Sequence, residues 1–288
     1  MSVYESITAS IAGAIEAGAK GSEWRMPWHR AAGRPMNVAT GNAYQGVNTL
    51  ALWCEAQSRG FGSDVWGTFR QWNGVGARVA KGARSSTIVF WKPLEKGEKP
   101  EGSEEEQGHR FVLRSSCVFN ASQVEGWTAP ARLVDAKDAP EVEAAVQAAG
   151  VSVSWGGDRA FYDRRADRIQ MPARDAFFDA QGLASVLLHE AAHWTGHPTR
   201  LAREFGQRFG DKAYAFEELV AELAAAFLCA DFGISNEPRP DHAQYVASWL
   251  DVLGRDQRAI FSAARLASDA AHFFTKPAPK FGAEPIAA

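Results

Sequence analysis

The residues with the most evident chemistry lie in LASVLLHEAAHWTGH, Leu183 to His197, where His189 and His193 stand four positions apart and enclose Glu190. Four residues make slightly more than one helical turn, so both imidazoles face the same way and can share one cation. Glu190 follows His189 by about 100° around the helix, near enough to serve as general base toward a water that the cation acidifies, and later to pass the proton to a leaving amine. Zinc is the expected ion, with manganese or another divalent metal as the alternative. The competing explanation is a buried helix whose histidines bond backbone carbonyls. Leu183, Val186, Leu187 and Leu188 weigh against it. In so apolar a setting a glutamate is costly to bury without an ion or hydrogen-bond donors.

A catalytic zinc takes three protein ligands and keeps one position open, so a third ligand is needed. His197 belongs to HEAAHWTGHPTR, which nearly repeats the metzincin arrangement HExxHxxGxxH, but Thr199 stands where the last histidine belongs. A continuous helix would also carry His197 about 12 Å beyond His189. The stronger source is FEELVAELAAAFLCA, Phe216 to Ala230. With Glu218 at 0° on a helical wheel, Glu222 falls at about 40°, and Phe216, Leu219, Val220, Leu223 and Phe227 cluster at about 100–200°. Most other positions are alanine, so the helix has no solvent face and its carboxylates need partners. Glu217, at the edge of the apolar face, is a rival ligand. Hydrogen bonding, or pairing with Arg200 or Arg203, is the other use such carboxylates could have.

This arrangement resembles the gluzincin pattern, in which HExxH on one helix is completed by a glutamate on a second. The resemblance implies Glu218 as the third ligand and Glu222 as the carboxylate that orients His189. Tyr214, Tyr245 and His242 are candidate donors to a developing oxyanion, and DRIQMPA is a candidate strand edge for an extended peptide.

A second chemistry occupies the first 92 residues, where ten basic residues face five acidic ones. That segment is net +5, which leaves −8 for the remainder of a chain whose total is −3. Trp24, Trp28, Trp53, Trp66, Trp72 and Trp91 are interleaved with this charge. Cations that follow phosphates and aromatic faces that stack on bases make up sequence-independent single-strand binding. Trp24, Arg25, Trp28, Tyr44, Arg70, Arg78, Lys81 and Arg84 are the candidate DNA contacts. For each tryptophan core packing is the alternative, and for each cation a solvated surface.

The elements that must hold these residues follow from periodicity and turn chemistry. Tyr4, Ile7, Ile11 and Ile15 predict an amphipathic first helix, and Leu50 to Arg59 a short second one. STIVFW (Ser86 to Trp91) and RFVLRSSCVFN (Arg110 to Asn120) read as strands. The Pro-, Gly- and Glu-rich run between them reads as a mobile acidic hairpin loop at about 95–109 rather than an interdomain linker. Farther on the sequence predicts a helix at Pro140 to Ala149, a strand at Val151 to Trp155, a hairpin through RAFYDRRADRIQMP, the HEAAH helix, the Ala-rich helix, and helical structure from His242 to about Phe273. The fold class expected is α+β in two domains: residues 1–130 for DNA, and residues 135–275, mostly helical with a small sheet, for the metal. A flexible tail is expected at 276–288. Three cysteines without a CxxC pair, and no apolar run near the roughly 20 residues of a membrane span, point to a soluble cytoplasmic protein with no membrane partner.

The blocks EWRMPWHRAAGRPMNVATGNAYQGVNTLALW, VWGTFRQWNGVGARVAKGARSSTIVFWKP and VFNASQVEGW resemble the N-terminal single-stranded-DNA-binding domain of the ArdC antirestriction family. Trp24, Trp28, Asn37, Tyr44, Asn48, Trp66, Gln71 and Lys81 match within them. DRIQMP, LLHEAAHWTGHPTRLAREFG and YAFEELVAELAAAFL resemble the zincin-like metallopeptidase domain that follows in that family. The resemblance implies a plasmid- or phage-borne protein that binds single-stranded DNA and protects incoming DNA from restriction. The joining of the metal site and the basic segment in one chain points separately to hydrolysis, or sequestration, of a DNA-bound protein such as a restriction component. The alternatives are a DNA-coating protein with a structural metal and a general zinc peptidase.

Overall fold

The computed structural model describes residues 2–20, 26, 28, 33–93, 111–129, 139–205, 212–234 and 245–275. Trp24, Arg25, His242, the expected acidic loop and the expected tail lie outside these residues.

The chain opens with helix α1 (Val3–Lys20), which buries Ile7, Ile11 and Ile15 at the spacing that predicts an amphipathic helix. A four-stranded sheet follows, in the order β1 (Met36–Asn37), β2 (Val65–Gly67), β5 (Phe111–Asn120), β4 (Ser86–Pro93). β4 and β5 pair antiparallel from Ser86↔Val118 to Pro93↔Phe111, so the segment joining them connects a hairpin, as expected. Helix α2 (Val47–Arg59) packs on β4, and the Asn48 amide doubles as a strand edge: its Nδ2 donates to Val89 O and its Oδ1 accepts from Val89 N. Short helix α3 (Phe69–Gly74) carries a Thr68/Gln71 capping box and leads into β3 (Arg78–Val79), which pairs with β6 (Val124–Glu125). Gly67 admits no side chain, since a Cβ there would lie 2.6 Å from Val38 Cγ1.

After helix α4 (Ala139–Ala148) comes a three-stranded sheet in the order β7 (Ser152–Trp155), β9 (Arg168–Met171), β8 (Phe161–Asp163). β9 is parallel to β7 and antiparallel to β8. This corrects the expectation that DRIQMPA offers an edge: β9 is flanked on both sides, and the hairpin's own first strand covers it. Helices α5 (Ala180–Thr195), α6 (Lys212–Phe232), α7 (Val246–Arg255) and α8 (Ala259–Ala271) complete the chain. α6 packs against α5, α7 and α8, and its residues from Glu217 to Ala230 are all buried, which is why its sequence has no solvent face.

The two halves share one apolar core, in which Ile7, Ile11, Ile15, Leu50 and Trp53 join Leu187, Phe227, Trp249 and Ile260. Polar ties reinforce it: Arg34 pairs with Asp231 at 2.9 Å and lies over the Phe227 ring, Thr8 Oγ1 donates to Gln257 O, and Gly46 N donates to Ser268 Oγ. No helix among the described residues is long and apolar enough to cross a membrane.

Candidate metal centre

α5 starts at Asp179, whose side chain accepts from Gly182 N and so satisfies one of the open donors of the first turn. Leu183, Ala184, Leu187, Leu188, Ala191 and Ala192 are buried and fix the helix rotationally, which aims His189 and His193 at α6. Their rings lie edge to face, and the two Nε2 atoms are 3.2 Å apart. Glu218 on α6 closes the triangle, with Oε2 at 3.6 Å from His189 Nε2 and Oε1 at 3.6 Å from His193 Nε2. Two buried imidazole nitrogens face each other stably only when a proton or a cation lies between them. Four donors at about 2.0–2.1 Å from a tetrahedral ion lie about 3.3–3.4 Å from one another, so the observed spacing fits a divalent cation. Among the described residues, these three are the group of histidines and carboxylates placed closely enough to hold a metal ion.

The electrostatics agree with that donor set. Burial raises the Glu218 pKa, but the charges of His193 and His189 and a hydrogen bond from Tyr214 outweigh it and hold the carboxyl at about 2. Burial lowers the His193 pKa, and the carboxylates of Glu218, Glu217 and Glu190 overcome this, pushing it up to about 9. A cation bound here therefore displaces a proton. Glu190, 5% exposed, sits beside His189 on the same helix. Tyr214, one turn before Glu218, has its hydroxyl 3.3 Å from that of Tyr245, and burial raises its pKa, so it stays protonated.

Glu217, the rival ligand, has a different position. Its Oε1 is 3.2 Å from His193 Nδ1, and Arg203 grips both its oxygens, Nε donating to Oε2 at 2.9 Å and Nη2 to Oε1 at 2.8 Å. Arg203 also donates to Thr195 Oγ1 and Ala192 O, so it locks the end of α5 to α6. Glu222 presents Oε2 at 3.8 Å from His189 Nδ1, while its Oε1 accepts from Trp28 Nε1 at 3.1 Å. Each histidine is thus backed by a carboxylate of α6. His197 is away from the triangle, with Nδ1 2.8 Å from Thr199 Oγ1. Gly196, the glycine of the near-metzincin motif, has a steric use: a Cβ there would lie 2.7 Å from the Phe205 ring and 2.9 Å from Arg203 Nη2. Arg200 reaches back to the hairpin, donating to both oxygens of Asp167, to Tyr162 Oη and to Trp194 O. Arg203 thus makes the pairing with a carboxylate of α6 that the sequence allows, whereas Phe205 is a neighbour of the site that motif spacing does not reveal.

The basic half looks different from its sequence. Trp28, Trp53, Trp66 and Trp72 are at most 1% exposed, which removes them as stacking surfaces. For Trp28 this corrects the expected DNA contact, because its ring packs on Trp249 and its N–H is committed to Glu222. Tyr44 is half-buried and its hydroxyl accepts from Asn37 Nδ2. Arg70, Arg78, Lys81 and Arg84 are exposed on α3, β3 and the turn that follows. Among the described residues of that half, Phe69, 54% exposed beside Arg70, and Phe90 and Trp91, 46% and 56% exposed on β4, are aromatic faces open to solvent.

Comparison with known proteins gives two family matches: the N-terminal domain of the anti-restriction factor ArdC over residues 1–119, and a zincin-like metallopeptidase over residues 140–266. Protein y4eC of Sinorhizobium fredii is 44% identical over 278 residues, covering 93% of this chain and 90% of that protein. The DNA primase TraC of Escherichia coli is 32% identical over 284 residues, which span 91% of this chain but only 26% of TraC. Among solved structures, the antirestriction protein ArdC of plasmid R388 is 36% identical in its metal-free form, with TM-score 0.79 over 95% of this chain and 97% of that one. Its Mn(II)-bound form superposes with TM-score 0.78 over the same shares.

Proposed function

Because the chain belongs to the ArdC antirestriction family, we propose that it protects incoming plasmid or phage DNA from restriction, binding single-stranded DNA without sequence preference and hydrolysing a peptide bond in a DNA-associated protein. The observation that carries the enzymatic part is the convergence of His189, His193 and Glu218 on one point between two buried helices. These three would hold a divalent cation, zinc by the preference of a His/His/carboxylate set, with manganese a working substitute. Bound there, the ion supplies Lewis acidity toward a carbonyl and a water molecule. Glu190 takes the water proton on its carboxylate and returns it to the leaving amine. Tyr214, which burial keeps a phenol, and Tyr245 beside it donate to a carbonyl oxygen as negative charge develops on it. β8, one of the two edge strands of the small sheet, offers backbone groups to an extended peptide.

In the DNA-binding half, Arg70, Arg78, Lys81 and Arg84 track the phosphates and Phe69 offers a stacking face. Trp24 and Arg25, outside the described residues, remain candidate DNA contacts. A second reading, in which DNA coating protects and the metal only knits the fold, is favoured by the core that both halves share.

Transfer of unmodified DNA into a restricting host separates the two. Peptidase-based protection requires loss with Glu190→Ala as well as with His189→Ala. Full protection by Glu190→Ala, with loss in His189→Ala, would assign the metal to structure.

A further inference from the structure

We propose that Trp28 is a positioning residue of the metal centre: its indole N–H holds Glu222 against His189, so the DNA-binding half of the chain sets how tightly the peptidase half retains its ion. The inference rests on the reading that His189, His193 and Glu218 bind a divalent cation.

The two ligand histidines are backed in parallel ways. His193 Nδ1 faces Glu217, and Arg203, from the loop after α5, grips that carboxylate. His189 Nδ1 faces Glu222, and Trp28 Nε1, 194 positions away in sequence, donates to that carboxylate. A ligand histidine whose far nitrogen donates to a carboxylate is held in one tautomer and one ring orientation, and its basicity toward the ion rises. The carboxylate can do this only if it is itself held. At 3.8 Å the Glu222–His189 pair is at ion-pair rather than hydrogen-bond range, so the rotation of Glu222 decides whether the contact is made.

Trp28 is well built for that task. It is 1% exposed, and its ring packs on Trp249 of α7 at 6.3 Å between centroids. Trp249 Nε1 in turn donates to Ala215 O on α6, three residues before Glu218. The indole is thereby wedged between α6 and α7 at fixed depth. Such a placement gives a buried tryptophan in the basic half a use other than stacking or simple core filling.

The test is zinc affinity of the full chain, measured by competition with a chromophoric chelator. Glu222→Gln should weaken binding by about 10-fold or more, and Trp28→Phe, one bond farther out, by about 3- to 10-fold. The double variant should bind no more weakly than Glu222→Gln alone, because Trp28 acts through Glu222. Trp53→Phe, the same change at another buried tryptophan, should leave affinity within about twofold. Trp28→Phe binding as tightly as wild type, or a loss that adds in full to that of Glu222→Gln, overturns the proposal. If the wild-type chain bound no zinc, the donor-set reading would fall and this proposal with it. Should Trp28→Phe not fold, the indole N–H resonances decide: the resonance that Glu222→Gln displaces should be the one that moves when zinc is added to wild type. No common resonance overturns the proposal.

Discussion

Arg203 is the side chain whose loss should be felt most. Its guanidinium, 2% exposed, makes four hydrogen bonds to Glu217, Thr195 and Ala192 and supplies the positive charge beside the Glu217 carboxylate. Burial raises the Glu217 pKa, yet Arg203 and His193 outweigh it and keep the group below the usual carboxylate range, so it is an anion in the folded protein. Arg203→Met removes the guanidinium that holds both oxygens of Glu217, leaving His193 on one of them, while retaining much of the stem. Breaking a buried pair from one side leaves an uncompensated charge and costs about 3–5 kcal/mol. At about 2–4 °C per kcal/mol for a chain of this size, melting should fall by roughly 6–20 °C. Urea denaturation at pH 7, with a chelator present so that metal does not contribute, gives the free energy directly. Adding Glu217→Gln should recover part of the loss, since the orphaned carboxylate is then gone. A loss below about 1 kcal/mol, the level of an exposed ion pair, would refute the reasoning, as would a double variant no better than the single one.

Three further outcomes are expected. Gly196→Ala places a methyl group against the Phe205 ring and Arg203 Nη2 and should destabilise by about 1–3 kcal/mol in the same urea assay, with no backbone penalty because φ there is −77°. Asp167 is held at about 2 chiefly by hydrogen bonds from Arg200, against a burial that raises it. Its contribution is full above about pH 4 and lost as pH falls through about 2, so the stability gap between wild type and Asp167→Asn should be constant at neutral pH and close in acid. Arg70→Ala with Arg78→Ala should weaken single-stranded DNA binding alike for unrelated sequences and reduce the salt slope by about 1.4, measured by fluorescence anisotropy at several salt concentrations.

How far the site was legible in sequence follows from what burial does to charge. His189, Glu190, His193, Glu218 and Glu222 stand in two stretches too apolar for them, and only mutual proximity or an ion resolves that conflict. The helices were equally plain: α1 carries its burial in its periodicity, and α6 in the lack of any polar face. Arg203 was legible only as a possible partner for a carboxylate of α6, and the roles of Phe205 and Trp28 were not legible, since each is defined by a partner on another element and no local pattern encodes it. The tryptophans illustrate the same limit: composition placed them among basic residues, but depth, which decides between stacking and packing, depends on tertiary contacts. The hairpin strand β9 was recognised while its neighbour β7 was not assigned to its open side, because a parallel pairing leaves no turn signal between the partners.

The most direct test is calorimetric titration of the metal-stripped chain with zinc. If His189, His193 and Glu218 hold the ion, wild type binds one equivalent tightly and Glu190→Gln still does, whereas Glu218→Ala and His193→Ala lose it. Tight binding that survives Glu218→Ala, or none in the wild type, would contradict the site.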